Sequence, residues 1–182
     1  MTAAPRHLRS DALRNREKLL VAATELLTER GLDVPLEEIA RRAKVSIGTL
    51  YNHFPTRGAF HDAIFPERLA ALDRILKTAL DADDAWVGFT GYLHGLFTLH
   101  AEDRSLNDAM AQRFPVSDDV HEACRHFFEQ SARIIERAKQ DGGLRRDFEL
   151  RDLMLLVSAT SQVIQQSADW QRFLSFYIDG LR

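Results

Sequence analysis

Residues 35–57, PLEEIARRAKVSIGTLYNHFPTR, restrict the fold more than any other stretch of the chain. Leu36, Ile39, Ala40 and Ala43 recur at a spacing that puts them on one helical face, while Glu37, Glu38, Arg41 and Arg42 point to solvent. Pro35 suits the first helical position, where a missing N–H costs nothing. Ala40 has almost no side chain, so a second helix can cross close above it. Lys44, Val45 and Ser46 are too few for anything but a sharp corner. Lys44 stands where glycine is the usual choice because φ tends to be positive, and it is expected to hold left-handed geometry at about 1 kcal/mol. Val45 can tuck into the angle between the helices. Ser46 is predicted to cap the second helix, accepting from the backbone N–H at position 48 or 49. In that helix Leu50 and Phe54 face inward, which leaves Ile47, Gly48, Thr49, Tyr51, Asn52 and His53 mostly outward.

An outward face with two hydroxyls, an amide and an imidazole makes a poor core and a good hydrogen-bonding surface. Glycine inside a helix costs about 1 kcal/mol relative to alanine, so Gly48 suggests that something approaches the backbone closely; a phosphate or a base edge fits. Phe54-Pro55 ends the helix, because the residue before proline is pushed out of the α region. Thr56 is predicted to cap a further helix whose first turn carries Arg57, which would bring a guanidinium and a positive helix terminus together as a phosphate clamp. An αα-hairpin with a polar face is the plain alternative. It does not require so many residue types at fixed offsets, as a helix-turn-helix does.

Residues 19–65 carry AATELLTERG, EEIARRAKVS, GTLYNHF and a basic residue opening the next helix, and together these resemble the N-terminal domain of the TetR family of transcriptional regulators. The ending QRFLSFYIDGLR resembles the SbtR-like branch of that family. The resemblance implies an all-α, homodimeric protein, with a three-helix DNA-binding domain followed by a larger helical domain that binds a small molecule and controls affinity for a DNA operator. It implies that Ile47, Gly48 and Tyr51 lie in the major groove and that Thr49, His53 and Arg57 hold phosphates. With Ser46 and Asn52 these make the expected DNA-binding set.

Net charge alone, −3, argues against nucleic acid. Its distribution argues the other way. The first 60 residues hold ten Lys and Arg against seven Asp and Glu, a balance of +3, and the remainder fourteen against twenty, a balance of −6. One cysteine excludes an internal disulfide. No N-terminal apolar region precedes a cleavage site and no apolar run approaches the roughly 18 residues that span a bilayer, so the expectation is a cytoplasmic protein with no membrane partner.

Residues 1–10 are polar and basic and are expected to form a flexible tail, or an arm that touches DNA. Residues 11–56 are expected to form the helix-turn-helix domain, and 57–182 the ligand-binding and dimerisation domain. Leu19, Ala22, Ala23, Leu26 and Leu27 form the stripe of a first helix stopped by Gly31. Pro66 predicts a break or kink, after which residues 67–82 form a helix through Leu69, Leu72, Leu76 and Leu80. Asp83 or Asp84 can cap the next, to about 102; a short segment follows over 105–114, then a long helix from a Ser117 cap to about 140. Two more are predicted, over 150–168 and 170–181. The first of these is apolar on more than one side, with Ser158, Ala159 and Ser161 permitting close approach. Paired with the long helix before it, it is the candidate dimer surface; the centre of a monomer core is the alternative.

Phe89, Tyr92, Leu93, Phe97, Met110, Phe114 and Phe127 are the candidate lining of a small-molecule site, with ordinary core packing as the alternative for each. His121 and Cys124 are too few to hold a metal, and no cofactor is implied. No G-x-S-x-G, P-loop, G-x-G-x-x-G or H-E-x-x-H is present, so the chain does not read as an enzyme. The competing reading is a helical protein-interaction module without DNA binding. Such a module need not retain Gly48, Thr49, Tyr51, His53 and Arg57 together.

Overall fold

A computed structural model describes residues 6–110, 118–166 and 169–182. In chain order its helices are α1 (Arg6–Arg30), α2 (Leu36–Arg42), α3 (Ile47–His53), α4 (Arg57–Leu80), α5 (Ala85–Glu102), α6 (Arg104–Met110), α7 (Asp118–Gln140), α8 (Leu150–Gln165) and α9 (Trp170–Asp179). No strand occurs among the described residues. The architecture is all-α, as the family resemblance implied.

Two hydrophobic clusters organise these helices. The first gathers Leu19, Ala23 and Leu27 of α1, Ile39 and Ala40 of α2, Leu50 of α3, Phe54, and Phe60 and Ile64 of α4. The second gathers Phe65, Leu72 and Leu76 of α4 with Phe89, Leu93 and Phe97 of α5, Phe127 and Ile134 of α7, Leu153 and Leu156 of α8, and Leu174 of α9. Helix α4 therefore belongs to both cores, and consecutive residues Ile64 and Phe65 point into different ones.

Two expectations are corrected here. Helix α1 begins at Arg6 rather than at 11. No Gly or Pro separates Arg6 from Gly31, so once the helix is nucleated each added residue contributes one more bond. The expected tail over residues 1–5 lies outside the described residues. Of the break or kink expected at Pro66, the break is absent: α4 runs unbroken with the proline inside it, so 67–82 is not a separate helix. An interior proline removes one helical hydrogen bond at about 3 kcal/mol. Burial of Phe60 and Ile64 on one side and of Phe65 and Leu72 on the other offsets that cost.

Gly31 ends α1 with φ +82°, and its N–H donates to Leu27 O at 2.8 Å. A Cβ at this position would also collide with the Asp108 carboxylate of α6. Glycine is thus required twice, by backbone conformation and by the approach of α6. Asp84 caps α5 by accepting from the Val87 N–H at 2.8 Å. The Ser117 cap expected for α7 lies outside the described residues.

Candidate nucleic-acid interface

The corner between α2 and α3 is built from backbone hydrogen bonds. Lys44 has φ 57°, the left-handed geometry expected of it, and is the only non-glycine described residue with positive φ. Its N–H donates to Arg41 O at 3.1 Å, and the Val45 N–H donates to Ala40 O at 3.0 Å. This pair of bonds is the Schellman ending, which satisfies carbonyls that the last helical turn leaves open. Ser46 then starts α3: its Oγ accepts the Thr49 N–H at 3.1 Å and lies 2.8 Å from Thr49 Oγ1. Pro35 sits one residue before the first helical position of α2, and its carbonyl accepts the N–H groups of Glu38 and Ile39.

Helix α3 is held from behind. Leu50 is fully buried, Phe54 meets Phe60 edge-on at 4.9 Å between centroids, and the Arg16 guanidinium of α1 lies 5.3 Å from the Phe54 ring. Outward, Ser46, Gly48 and Asn52 are exposed, Ile47 and Tyr51 are exposed large hydrophobics, and Thr49 and His53 are half-buried. Tyr51 is 45 % exposed although a phenol ring gains free energy by burial, so no internal surface accounts for its position. Gly48 is equally unexplained from inside: the nearest atom to a Cβ placed there would be Ser46 Oγ at 3.9 Å.

Arg57 makes a further set of contacts that the sequence did not suggest. It is exposed at the start of α4, where Thr56 Oγ1 caps the helix by accepting the Ala59 N–H at 3.0 Å. Its Nη2, however, donates to Leu32 O at 2.6 Å and to Val34 O at 2.7 Å. The guanidinium therefore ties the α1–α2 loop to the helix that follows α3. Sequence spacing could not show this, because the partners are backbone carbonyls more than twenty residues away.

The same loop is tied to the second core. Asp108 of α6 accepts the Leu32 N–H at 3.0 Å. Arg68 of α4, 5 % exposed, pairs with Asp103 at 2.8 Å and donates to Ser105 Oγ at 2.9 Å and to Thr28 Oγ1 of α1 at 3.3 Å. Asp103 in turn accepts the N–H groups of Ser105 and Leu106, which start α6. None of Arg68, Asp103 and Asp108 was singled out from the sequence. A lone Arg in an apolar helical stripe was the available signal.

Of the candidate ligand residues, Phe89, Tyr92, Leu93, Phe97 and Phe127 are buried in the second core. Tyr92 Oη lies 2.8 Å from Ser131 Oγ, and burial raises its pKa despite that bond. A cavity of about 370 Å³ between α4 and α5 is lined instead by Arg74, Ile75, Ala79, Val87 and Gly91, among others. The Met110 side chain and Phe114 lie outside the described residues, as do the side chains of His121 and Cys124. Among the described residues no group of three or more His, Cys, Asp or Glu could hold a metal ion, and no helix is long and apolar enough to cross a membrane.

Helix α8 presents Met154, Leu155, Ser158 and Ala159 to solvent, with Leu155 68 % exposed, and α9 presents Phe176. The described outer face of α7 carries Glu122, Arg125, Glu129 and Arg133 instead. Among the described residues of these three helices, the exposed large apolar side chains lie on α8 and α9.

Comparison with known proteins agrees with this geometry. Residues 19–64 match the family of bacterial regulatory proteins of the tetR type, and residues 81–182 match the C-terminal domain of SbtR-like transcriptional regulators. The HTH-type transcriptional repressor DhaR of Mycobacterium sp. (strain GP1) is 27% identical over 142 residues, which cover 72% of this chain and 71% of that one. A TetR transcription regulatory protein from Mycobacterium vanbaalenii has a similar structure, with TM-score 0.58 and 28% identity over 96% of this chain and 99% of that one. FadR of Bacillus subtilis, solved in complex with stearoyl-CoA, shares the fold at TM-score 0.64 and 16% identity, covering 90% of this chain and 96% of that one.

Proposed function

Because the chain belongs to the TetR family of transcriptional regulators, with a C-terminal domain of the SbtR-like type, we propose that it is a ligand-responsive repressor that binds a palindromic operator as a homodimer and is released by a small molecule. The observation that carries this reading is the face of α3. Seven residues are capped, cornered and backed by a buried Leu50 and Phe54, yet Ile47, Gly48, Tyr51 and Asn52 are left without internal use. That arrangement costs folding free energy and is repaid only by an outside partner. A base edge meets Ile47, Tyr51 and Asn52; the backbone at Gly48 accepts close approach; Ser46, Thr49, His53 and Arg57 face the phosphates.

Two such faces about 34 Å apart read successive major grooves. The exposed stripe of α8, Met154, Leu155, Ser158 and Ala159, is the seam through which two copies meet, with small residues allowing close approach. A molecule bound among α5 to α8 acts on the joint at Arg68, Asp103 and Asp108. From there α4 and the α1–α2 loop reset the spacing of the two reading heads. Coupling of about 1 to 3 kcal/mol is typical of such a switch. The repressor name of DhaR supports the sign of regulation.

The test is to expose sheared genomic DNA to the purified protein, recover the protected fragments and measure their affinity at several salt concentrations. Enrichment of an inverted repeat supports the reading. Uniform, salt-sensitive binding with no enriched sequence overturns it.

A further inference from the structure

Seven buried side-chain polar atoms find no hydrogen-bond partner among the described residues, and six of them lie on α5, α6 and α8. They are both ring nitrogens of His100, Oδ1 of Asn107, Oγ1 of Thr160, Oγ of Ser161 and Oε1 of Gln165. His100, Thr160 and Ser161 are fully buried and Asn107 is 2% exposed. The three helices pack on one another, and Asn107 Nδ2 donates to Ser161 O at 3.2 Å across the α6–α8 contact. Buried polar groups in folded proteins are nearly always paired. A concentration of unpaired ones on three mutually packed helices, inside a core otherwise made of Phe, Leu and Val, points to a partner from outside the chain.

The chemistry of these groups limits that partner. The side-chain N–H of Asn107 is committed to a carbonyl, and Gln165 Nε2 donates to the Asp108 carboxylate at 3.5 Å. Both of those partners can only accept, so the amide oxygens must be the free ends, and they require donors. The two hydroxyls and a neutral imidazole can donate or accept. No group in the set carries a formal charge. The buried charges at the neighbouring α5–α6 junction, Arg68 and Asp103, are bonded to each other at 2.8 Å, so an entering carboxylate or phosphate would meet no open cation. We propose that this cluster is the effector subsite, and that the effector is a small uncharged molecule with an apolar body and at least two hydroxyl groups.

This rests on the effector-responsive reading above and adds the route of response. Gln165 touches Asp108, Asp108 accepts the Leu32 N–H, and Leu32 O accepts from Arg57 beside the DNA-reading helix. A hydroxyl drawn to Gln165 Oε1 shifts the residue that holds this chain of contacts.

The experiment uses the full chain, with calorimetric titration of 1,3-dihydroxybenzene and 1,6-hexanediol, and with benzoate and toluene as anionic and apolar controls. The wild type is compared with Thr160→Val, which keeps shape and removes the hydroxyl. Binding of a diol with at least tenfold loss in Thr160→Val, the variant's Tm equal to or above the wild type's, supports the proposal. Binding by benzoate or toluene alone, diol binding that Thr160→Val leaves unchanged, or a Tm lowered by the variant overturns it. So does failure of both diols to bind, which leaves the cluster to ordered water. Diol binding at this cluster with no change in affinity for the protected DNA fragments would leave the subsite standing and remove only the effector role.

Discussion

Arg68 and Asp103 meet at 2.8 Å with side chains only 6% and 12% exposed, and through them α4, which enters both cores, is fastened to the start of α6. Thr28 of α1 joins the same pair, so the two hydrophobic cores share one buried ionic joint.

Removing one partner of a buried pair strands the other charge, which costs about 3 to 5 kcal/mol. Arg68→Met should lower the unfolding free energy measured in urea by that amount, and Arg68→Met with Asp103→Leu should recover much of it. A single-variant loss under about 1 kcal/mol would show that solvent reaches the joint.

Arg57→Ala removes the proposed phosphate contact and the tie to Leu32 O and Val34 O together. Affinity should fall across all DNA sequences, the slope of log affinity against log salt should flatten by about one charge, and stability should drop by about 1 to 2 kcal/mol for the lost bonds to carbonyls. A stability loss with an unchanged salt slope would assign Arg57 to the tie alone.

Tyr51→Ala leaves the core intact, because the ring is exposed. It should weaken binding to the protected fragments by about tenfold or more, the scale of a lost base contact, with little change in binding to random DNA. Equal losses on both would mean that Tyr51 touches only the backbone.

Burial pushes the His100 imidazole down to about 4, with Asp103 pulling the other way. Its neutral form belongs to the fold, so its contribution is complete above the ordinary value near 6.5 and is lost as pH falls from there through 4. Wild-type stability should decline by roughly 3 kcal/mol over that interval from this group. In His100→Gln the decline should shrink accordingly when urea unfolding is followed at pH 7.5 and 4.5. Identical declines would place the acid sensitivity elsewhere.

Leu155→Glu puts a charge at the centre of the proposed α8 seam. Sedimentation should show a monomer with unchanged helical content, and DNA affinity should fall at least a hundredfold as the second reading head is lost. A persistent dimer would move the seam to another face, with Phe176 of α9 the next exposed apolar residue.

What the sequence determined by itself is local. The caps at Ser46, Thr56 and Asp84, the left-handed Lys44, the stop at Gly31 and the inward Leu50 and Phe54 are all set by contacts within a few residues, where chain geometry leaves little choice. The outward face of α3 followed from the same periodicity, and so did the helical class. Tertiary structure decided the rest, because the deciding forces act between residues far apart in the chain. Pro66 stays inside a helix since two cores grip α4 on either side of it. Arg57 turns toward carbonyls that only folding brings near. The aromatics of α5 and α7 read alike whether they line a cavity or fill a core, and burial alone placed Phe89, Tyr92, Leu93, Phe97 and Phe127. Arg68 finds Asp103, and the unpaired groups lie on three helices that pack together, because three-dimensional packing sets which polar groups lose water and which regain a partner.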